Sequence, residues 1–167
     1  RLDEARDSLS SAEDALRDAL RFGWPITTGG VSIVDVRDLA RIAVALLEPG
    51  RGPGRYMAGG QFLRWPELAS LCDELTGRRA PRIPAPAPLV RLAGRAIDVL
   101  RRVLPITYPL THEAALFMTR LTPCDSSATT RDLGIDFRPL SETLSDSIRW
   151  LHEAGHIGTR YAGRLAA

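Results

Sequence analysis

The chain has 167 residues, 44% apolar and 25% charged, which is enough apolar surface to pack a core and too much for a disordered chain. Its 22 basic residues exceed the 20 acidic ones by only two, so charge alone does not mark a nucleic-acid binder. Every basic residue is Arg, and the absence of Lys excludes a Schiff base, a covalently held pyridoxal cofactor and a P-loop lysine. Asn is absent as well, and the pair of absences reads as the codon bias of a GC-rich genome.

Cys72 and Cys124 are the only cysteines; two in a chain this size make no disulfide scaffold and point to a reducing, cytoplasmic setting. No apolar run approaches the ~18 residues of a membrane span, and the most apolar stretch, 39–47, is interrupted by Arg41. The charged N-terminus lacks the apolar core of a secretory signal, and a start at Arg1 suggests a processed or excised fragment.

Residues 10–22 read as a helix. Ser10 and Glu13 have capping-box spacing, and Ala12, Ala15, Leu16, Ala19 and Leu20 form an apolar stripe. Gly23 stops it, and Trp24-Pro25 and Gly29-Gly30 punctuate a loop. Residues 31–36 (VSIVDV) are mostly β-branched and nearly continuously apolar, which predicts a strand buried on both faces. A helix follows over about 38–48, with Leu39, Ile42, Ala43, Leu46 and Leu47 on one side. The turn-rich connector 49–54 (PGRGPG) leads to a short strand at 55–58, closed by Gly59-Gly60. Strand, helix and strand in this order predict one right-handed crossover of a parallel α/β sheet.

The character then changes. Residues 65–76 are helical, with Pro66 in the first turn and Gly77 past the end. Residues 78–88, rich in Arg and Pro, read as extended linker. A basic amphipathic helix spans 89–104, and another helix 112–121. Asp125 or Ser126 caps a short helix ending at Gly134, and a last helix over 141–154 is stopped by Gly155. The second half is thus mainly helical, without internal repeats.

Four local patterns bear on chemistry. His152-Glu153-Ala154-Gly155-His156 matches H-E-x-x-H, but a zinc site needs both imidazoles on one helical face, and Gly155 stands where the helix stops. No metal site is expected. Gly50-x-Gly52-x-Gly54 follows a helix and precedes a strand, the reverse of a dinucleotide turn, and reads as a connector. Cys124 beside Asp125, Ser126 and Ser127 reads as helix-capping sequence rather than a nucleophile site. The helix at 89–104 carries Arg91, Arg95, Arg101 and Arg102 among Leu92, Ile97, Val99 and Leu100; it reads as a surface helix, with membrane-surface binding as the alternative.

Several stretches, in order, resemble the C-terminal half of an extended short-chain dehydrogenase/reductase of the NAD-dependent epimerase/dehydratase family, in its dihydroflavonol-reductase-like branch. Residues 32–40 (SIVDVRDLA) resemble the late Rossmann strand and its helix, and 54–60 (GRYMAGG) the following strand. Residues 62–77 resemble the first helix of the substrate-binding cap. Residues 125–144 (DSSATTRDLGIDFRPLSETL) resemble its last block, before a final helix that ends in Trp150-Leu151. The resemblance implies an α/β chain in which 1–60 end a Rossmann-like NAD(P)-binding domain, 61–158 form a mainly helical substrate-binding cap and 159–167 a tail.

The departures matter as much. The family's G-x-x-G-x-x-G fingerprint is absent. So is its Tyr-x-x-x-Lys pair, in which Tyr moves the proton and Lys lowers its pKa: Tyr56, Tyr108 and Tyr161 are followed at that spacing by Gly60, His112 and Leu165. No catalytic or cofactor-binding residue is therefore expected in this chain, and NAD or NADP belongs to a missing N-terminal nucleotide-binding half. Val31 stands seven residues before Asp38, where sugar-nucleotide members place an Arg, which favours a small, relatively apolar hydroxy or keto substrate. Ligands bind beyond the carboxyl ends of strands in open α/β sheets, which places Arg37 at the cleft; the resemblance adds Trp24, Thr27 and Thr28. A strand at 31–36 without its neighbours leaves open edges, so the chain alone is expected to be marginal, homo-oligomeric or aggregation-prone. A non-enzymatic helical interaction module is the remaining alternative, and no nucleic-acid partner is expected.

Overall fold

The computed structural model describes residues 9–49, 54–101, 111–120 and 122–166. The connector residues 50–53, residues 102–104 of the basic helix, Tyr108 and Leu121 lie outside them. The described residues form a mixed α/β structure, mostly helical, with one small parallel and one small antiparallel sheet. They group into two compact units: unit 1 draws on Arg1–Ile26, Trp65–Ala85 and Ser141–Ala167, unit 2 on Thr27–Arg64 and Pro86–Leu140.

Unit 1 opens with α1 (Ser11–Phe22). The expected capping box is formed: the Ser10 hydroxyl accepts from the Glu13 amide, and the Glu13 carboxylate accepts from the Ser10 amide at 2.8 Å. α1 packs against β1 (Trp24–Ile26), which pairs in parallel with β4 (Arg82–Pro84). The sequence pattern puts a loop and a linker at these two strands. Three residues that include a proline carry no alternation to read, yet the ladder closes at its ends. The Trp24 amide donates to the Pro81 carbonyl at 2.8 Å and the Ala85 amide to the Ile26 carbonyl at 2.9 Å, so neither proline interrupts these bonds.

The core of unit 1 comes from α3 (Trp65–Thr76), which buries Leu68, Ala69, Cys72 and Thr76, and α7 (Leu140–Glu153), which buries Leu144, Ile148 and Leu151 at helical spacing. α7 ends in a Schellman motif. The His156 amide donates to the Leu151 carbonyl at 2.8 Å and the Gly155 amide to the His152 carbonyl at 3.0 Å, with Gly155 at φ +80°. His152 and His156 therefore share no helical face, and H-E-x-x-H is a helix stop. Residues read as a tail form α8 (Thr159–Ala162) and a 3-10 turn, Gly163–Ala166, which packs on α3; Ala162 is fully buried.

Unit 2 corrects the predicted crossover. Its strand β2 (Gly30–Ile33) is half-buried and pairs with β3 (Gln61–Arg64) in the antiparallel sense, Gly30 opposite Arg64. The strand stops early because Asp35 caps the next helix: its carboxylate accepts from the Arg37 amide at 2.8 Å, and α2 runs over Val36–Leu46. No strand forms at 55–58, because side chains of a later helix take its backbone groups. The Thr129 hydroxyl donates to the Met57 carbonyl at 2.6 Å, and the Ser126 hydroxyl accepts from the Gly59 amide at 2.9 Å.

The rest of unit 2 is α4 (Ala87–Leu100), α5 (His112–Arg120) and α6 (Ser127–Leu133). Gly94 lets α4 and α5 approach closely: a Cβ there would lie 2.8 Å from the Thr111 carbonyl oxygen and 3.1 Å from the Ala115 Cβ. Among the described residues no helix is long and apolar enough to cross a membrane.

Burial pushes the Cys72 thiol up to about 12, with Asp73 adding to the rise. At pH 8 such a thiol is ionised to only about one part in ten thousand, and the thiolate is the nucleophile. Alkylation of the folded chain with iodoacetamide is expected to modify the part-exposed Cys124 and leave Cys72 untouched until denaturant is added. Equal labelling of both thiols without denaturant would contradict the packing of unit 1.

Candidate functional site

Two sequence blocks a hundred residues apart meet in unit 2. Asp38, in the first turn of α2, is 1% exposed. One oxygen of its carboxylate accepts from the Arg138 amide at 2.8 Å, and the other accepts from Arg138 Nε at 3.2 Å and lies 3.5 Å from the Arg41 guanidinium. The Arg138 carbonyl in turn accepts from Gln61 Nε2 at 3.4 Å, at the start of β3. One turn back, the buried Asp35 holds Arg37 through both carboxylate oxygens at 2.7 and 2.8 Å, and Arg138 Nε lies 3.8 Å away. Buried carboxylates need such partners, because desolvation penalises a charge left alone.

A second polar joint ties the loop before β2 to α5. The Thr28 hydroxyl donates to the Thr119 carbonyl at 3.1 Å. The buried Thr119 hydroxyl accepts from Arg91 Nε at 2.9 Å and donates to the Ala115 carbonyl at 2.7 Å. Arg91 is thereby fixed at the wall of a cavity of about 440 Å³ between α4 and α5. Arg95, Arg120 and His112 line it with Arg91, around Leu92 and Leu116.

The four residues predicted at a cleft fall in three places. Thr28 is engaged with Thr119, as above. Arg37 sits past the far end of β2, whose four residues at ~3.3 Å each separate it from the Thr27–Thr28 loop. Thr27 Oγ1 is buried without a hydrogen-bond partner among the described residues. Trp24 belongs to unit 1, where it is 3% exposed and its Nε1 is likewise without a partner among the described residues. Asp125, one of the two expected caps, accepts from the Ser127 amide at 2.9 Å; that bond, with the Ser127 side chain, holds its carboxyl below the usual range. Sequence reading missed the cavity and Thr119. A threonine near the end of a helix carries no outward signal, and His112 and Arg120 lie on a different helix from Arg91 and Arg95.

No family model matches the chain. Over 131 residues it is 25% identical to sterol demethylase protein B of Methylococcus capsulatus, covering 77% of this chain and 40% of that protein. Over 128 residues it is 29% identical to cinnamoyl-CoA reductase 1 of Oryza sativa subsp. japonica, covering 77% of this chain and 30% of that one. The chain thus spans less than half the length of these curated relatives. Its fold resembles the crystal structure of gox2253 with a TM-score of 0.68, over 89% of this chain and 46% of that one, at 21% identity.

Asp38→Ala is expected to destabilise the chain by about 3–5 kcal/mol, because it removes a buried carboxylate that accepts from the Arg138 amide and guanidinium together. Arg37→Ala is expected to cost less, because the buried Asp35 keeps the amide of residue 37 and the Arg138 guanidinium beside it. Urea titrations of the two variants check this, and equal midpoints would contradict it.

Proposed function

We propose that this chain is the substrate-binding C-terminal part of an NAD(P)-dependent reductase or epimerase of the extended short-chain dehydrogenase/reductase type, incomplete as a catalyst by itself. The observation that carries the reading is the similarity, over 77% of this chain, to less than half of each of two enzymes, one of them named a reductase. In this reading residues 1–60 end the nucleotide-binding domain, 61–158 form the cap and 159–167 close on it. The missing N-terminal half binds NAD or NADP and supplies the proton-transfer pair in a cytoplasmic enzyme.

This chain's own residues do not fit a nicotinamide dinucleotide. Its Gly-x-Gly-x-Gly run at 50–54 comes after α2 in the sequence and not directly after a strand, as a dinucleotide turn does, and the chain has no Lys to hold a ribose. No step of hydride or proton transfer is assigned to it. Its part is recognition, and the substrate is a small, relatively apolar hydroxy or keto compound. Val31, in β2 opposite Leu63, offers no charge to a diphosphate. Thr27 Oγ1, buried without a partner among the described residues, supports a binding role, since buried polar groups are otherwise hydrogen-bonded.

The test joins this chain to the reading frame upstream of Arg1 as one polypeptide. That polypeptide is expected to carry a Gly-rich fingerprint and a Tyr-x-x-x-Lys pair, and to oxidise NADPH or NADH in the presence of apolar ketones or aldehydes. Within it, Thr27→Val is expected to raise KM about tenfold while stability holds or rises by about 1 kcal/mol, because the replaced hydroxyl has no partner among the described residues. An upstream frame without the fingerprint, and no turnover, would replace this reading with a helical interaction module.

A further inference from the structure

α4 uses one face to pack and leaves another uncovered. Ala87 and Gly94 lie on the packed side, against α5. At 100° per residue, Leu89, Leu92, Ala93, Ala96, Val99 and Leu100 share a stripe about 120° wide. All six are exposed, with Leu89 at 62%, Leu92 at 63% and Val99 at 59%. Phe117 of α5 is also exposed, at 53%. Apolar area gathered in this way marks an interaction surface rather than scatter.

The cavity beside the stripe says what kind of surface it meets. Leu92 belongs to both. Arg91, Arg95 and Arg120 line the cavity, and among the described residues no carboxylate does. Among the described residues Arg91 is held through Nε alone, which leaves its two terminal nitrogens as donors there. His112 Nδ1 is buried with no partner among the described residues. Asp98, the acid of α4, is engaged elsewhere, its carboxylate accepting from the His112 amide at 2.9 Å. Guanidinium groups match phosphate oxygens in forked geometry, and a helix with an apolar stripe beside arginines suits the boundary between headgroups and acyl chains.

We propose that α4, with the adjoining end of α5, is a docking surface for an anionic phospholipid membrane, with the stripe in the acyl boundary and a lipid phosphate in the Arg91–Arg95–Arg120 cavity. A second copy of the chain is disfavoured as occupant, because a two-fold contact through this face would set the arginines of both copies together.

The full chain is floated with vesicles of phosphatidylglycerol and phosphatidylcholine, and with vesicles of phosphatidylcholine alone. It is expected to bind the anionic vesicles at least tenfold better, and to lose that binding at high salt. Arg95→Glu with Arg120→Glu, and separately Leu92→Ser with Val99→Ser, are each expected to cut binding about tenfold; all four side chains are outside the core, and circular dichroism checks that the helices persist. Binding that survives both pairs overturns the proposal. So does displacement from vesicles by millimolar glycerol phosphate with the serine pair silent, which identifies a site for free organic phosphate. Absence of vesicle binding, with a dimer that the serine pair dissolves, identifies a second copy. Loss of vesicle binding once the upstream frame is joined shows that the rest of the polypeptide covers the stripe.

Discussion

A single carboxylate joins the two ends of unit 2. Asp38 is set in the first turn of α2, and its oxygens are filled by the backbone and side chain of Arg138. The partner is not a long side chain free to swing. A main-chain amide is part of the contact, so it fixes the course of residues 134–140 and not merely the position of a charge. Through the Arg138 carbonyl and Gln61 the same joint reaches the start of β3. An Asp in this environment is costly to desolvate, and the donors offset that cost only in this geometry.

The two units hold together by different physics. Unit 1 is an apolar core of ordinary kind, in which Leu68, Ala69, Cys72, Ile148 and Leu151 are essentially inaccessible. In unit 2 Ile42, Ala87, Ala115 and Ile135 are joined by buried Asp35, Asp38, Thr119, Ser126 and Thr129. The hydroxyls of the last three each bind a main-chain group or an arginine across a long stretch of sequence or along α5. Hydrogen bonds of this kind add only about 1 kcal/mol each when made, but leaving a buried partner unpaired costs more, so they enforce one arrangement more than they deepen stability.

Helices are more legible in the residues than strands. The capping box at Ser10 and Glu13, the helix at 65–76 and the stop at Gly155 are local devices, complete within a few residues, and they stand where the pattern puts them. The strands at 24–26 and 82–84 are too short to show alternation and depend on each other. At 31–36 the β-branched run argues for a longer strand, and the capping carboxylate of Asp35 wins over it. At 55–58 the expected strand does not form; the Thr129 hydroxyl binds the Met57 carbonyl, and just beyond it the Ser126 hydroxyl binds the Gly59 amide. The Asp-Leu-Ala and Arg-Pro-Leu blocks are visible as separate features; their contact is not, because nothing in one names the other.

The same limit applies to the site. Thr27, Thr28, Trp24 and Arg37 come from strand-end reasoning and from resemblance, and the structure distributes them among different roles: two with buried polar atoms that lack partners among the described residues, one in a hydrogen bond, one in an ion pair. The joint at Asp38 is what makes the remaining placements in unit 2 definite, and it can be read directly. The Arg138 amide lies in a segment outside any helix or strand, where exchange with solvent is ordinarily fast. Native-state hydrogen exchange is expected to place that amide among the slowest in unit 2, comparable with the interior of α2. Exchange at the rate of an open loop would contradict this role for Asp38.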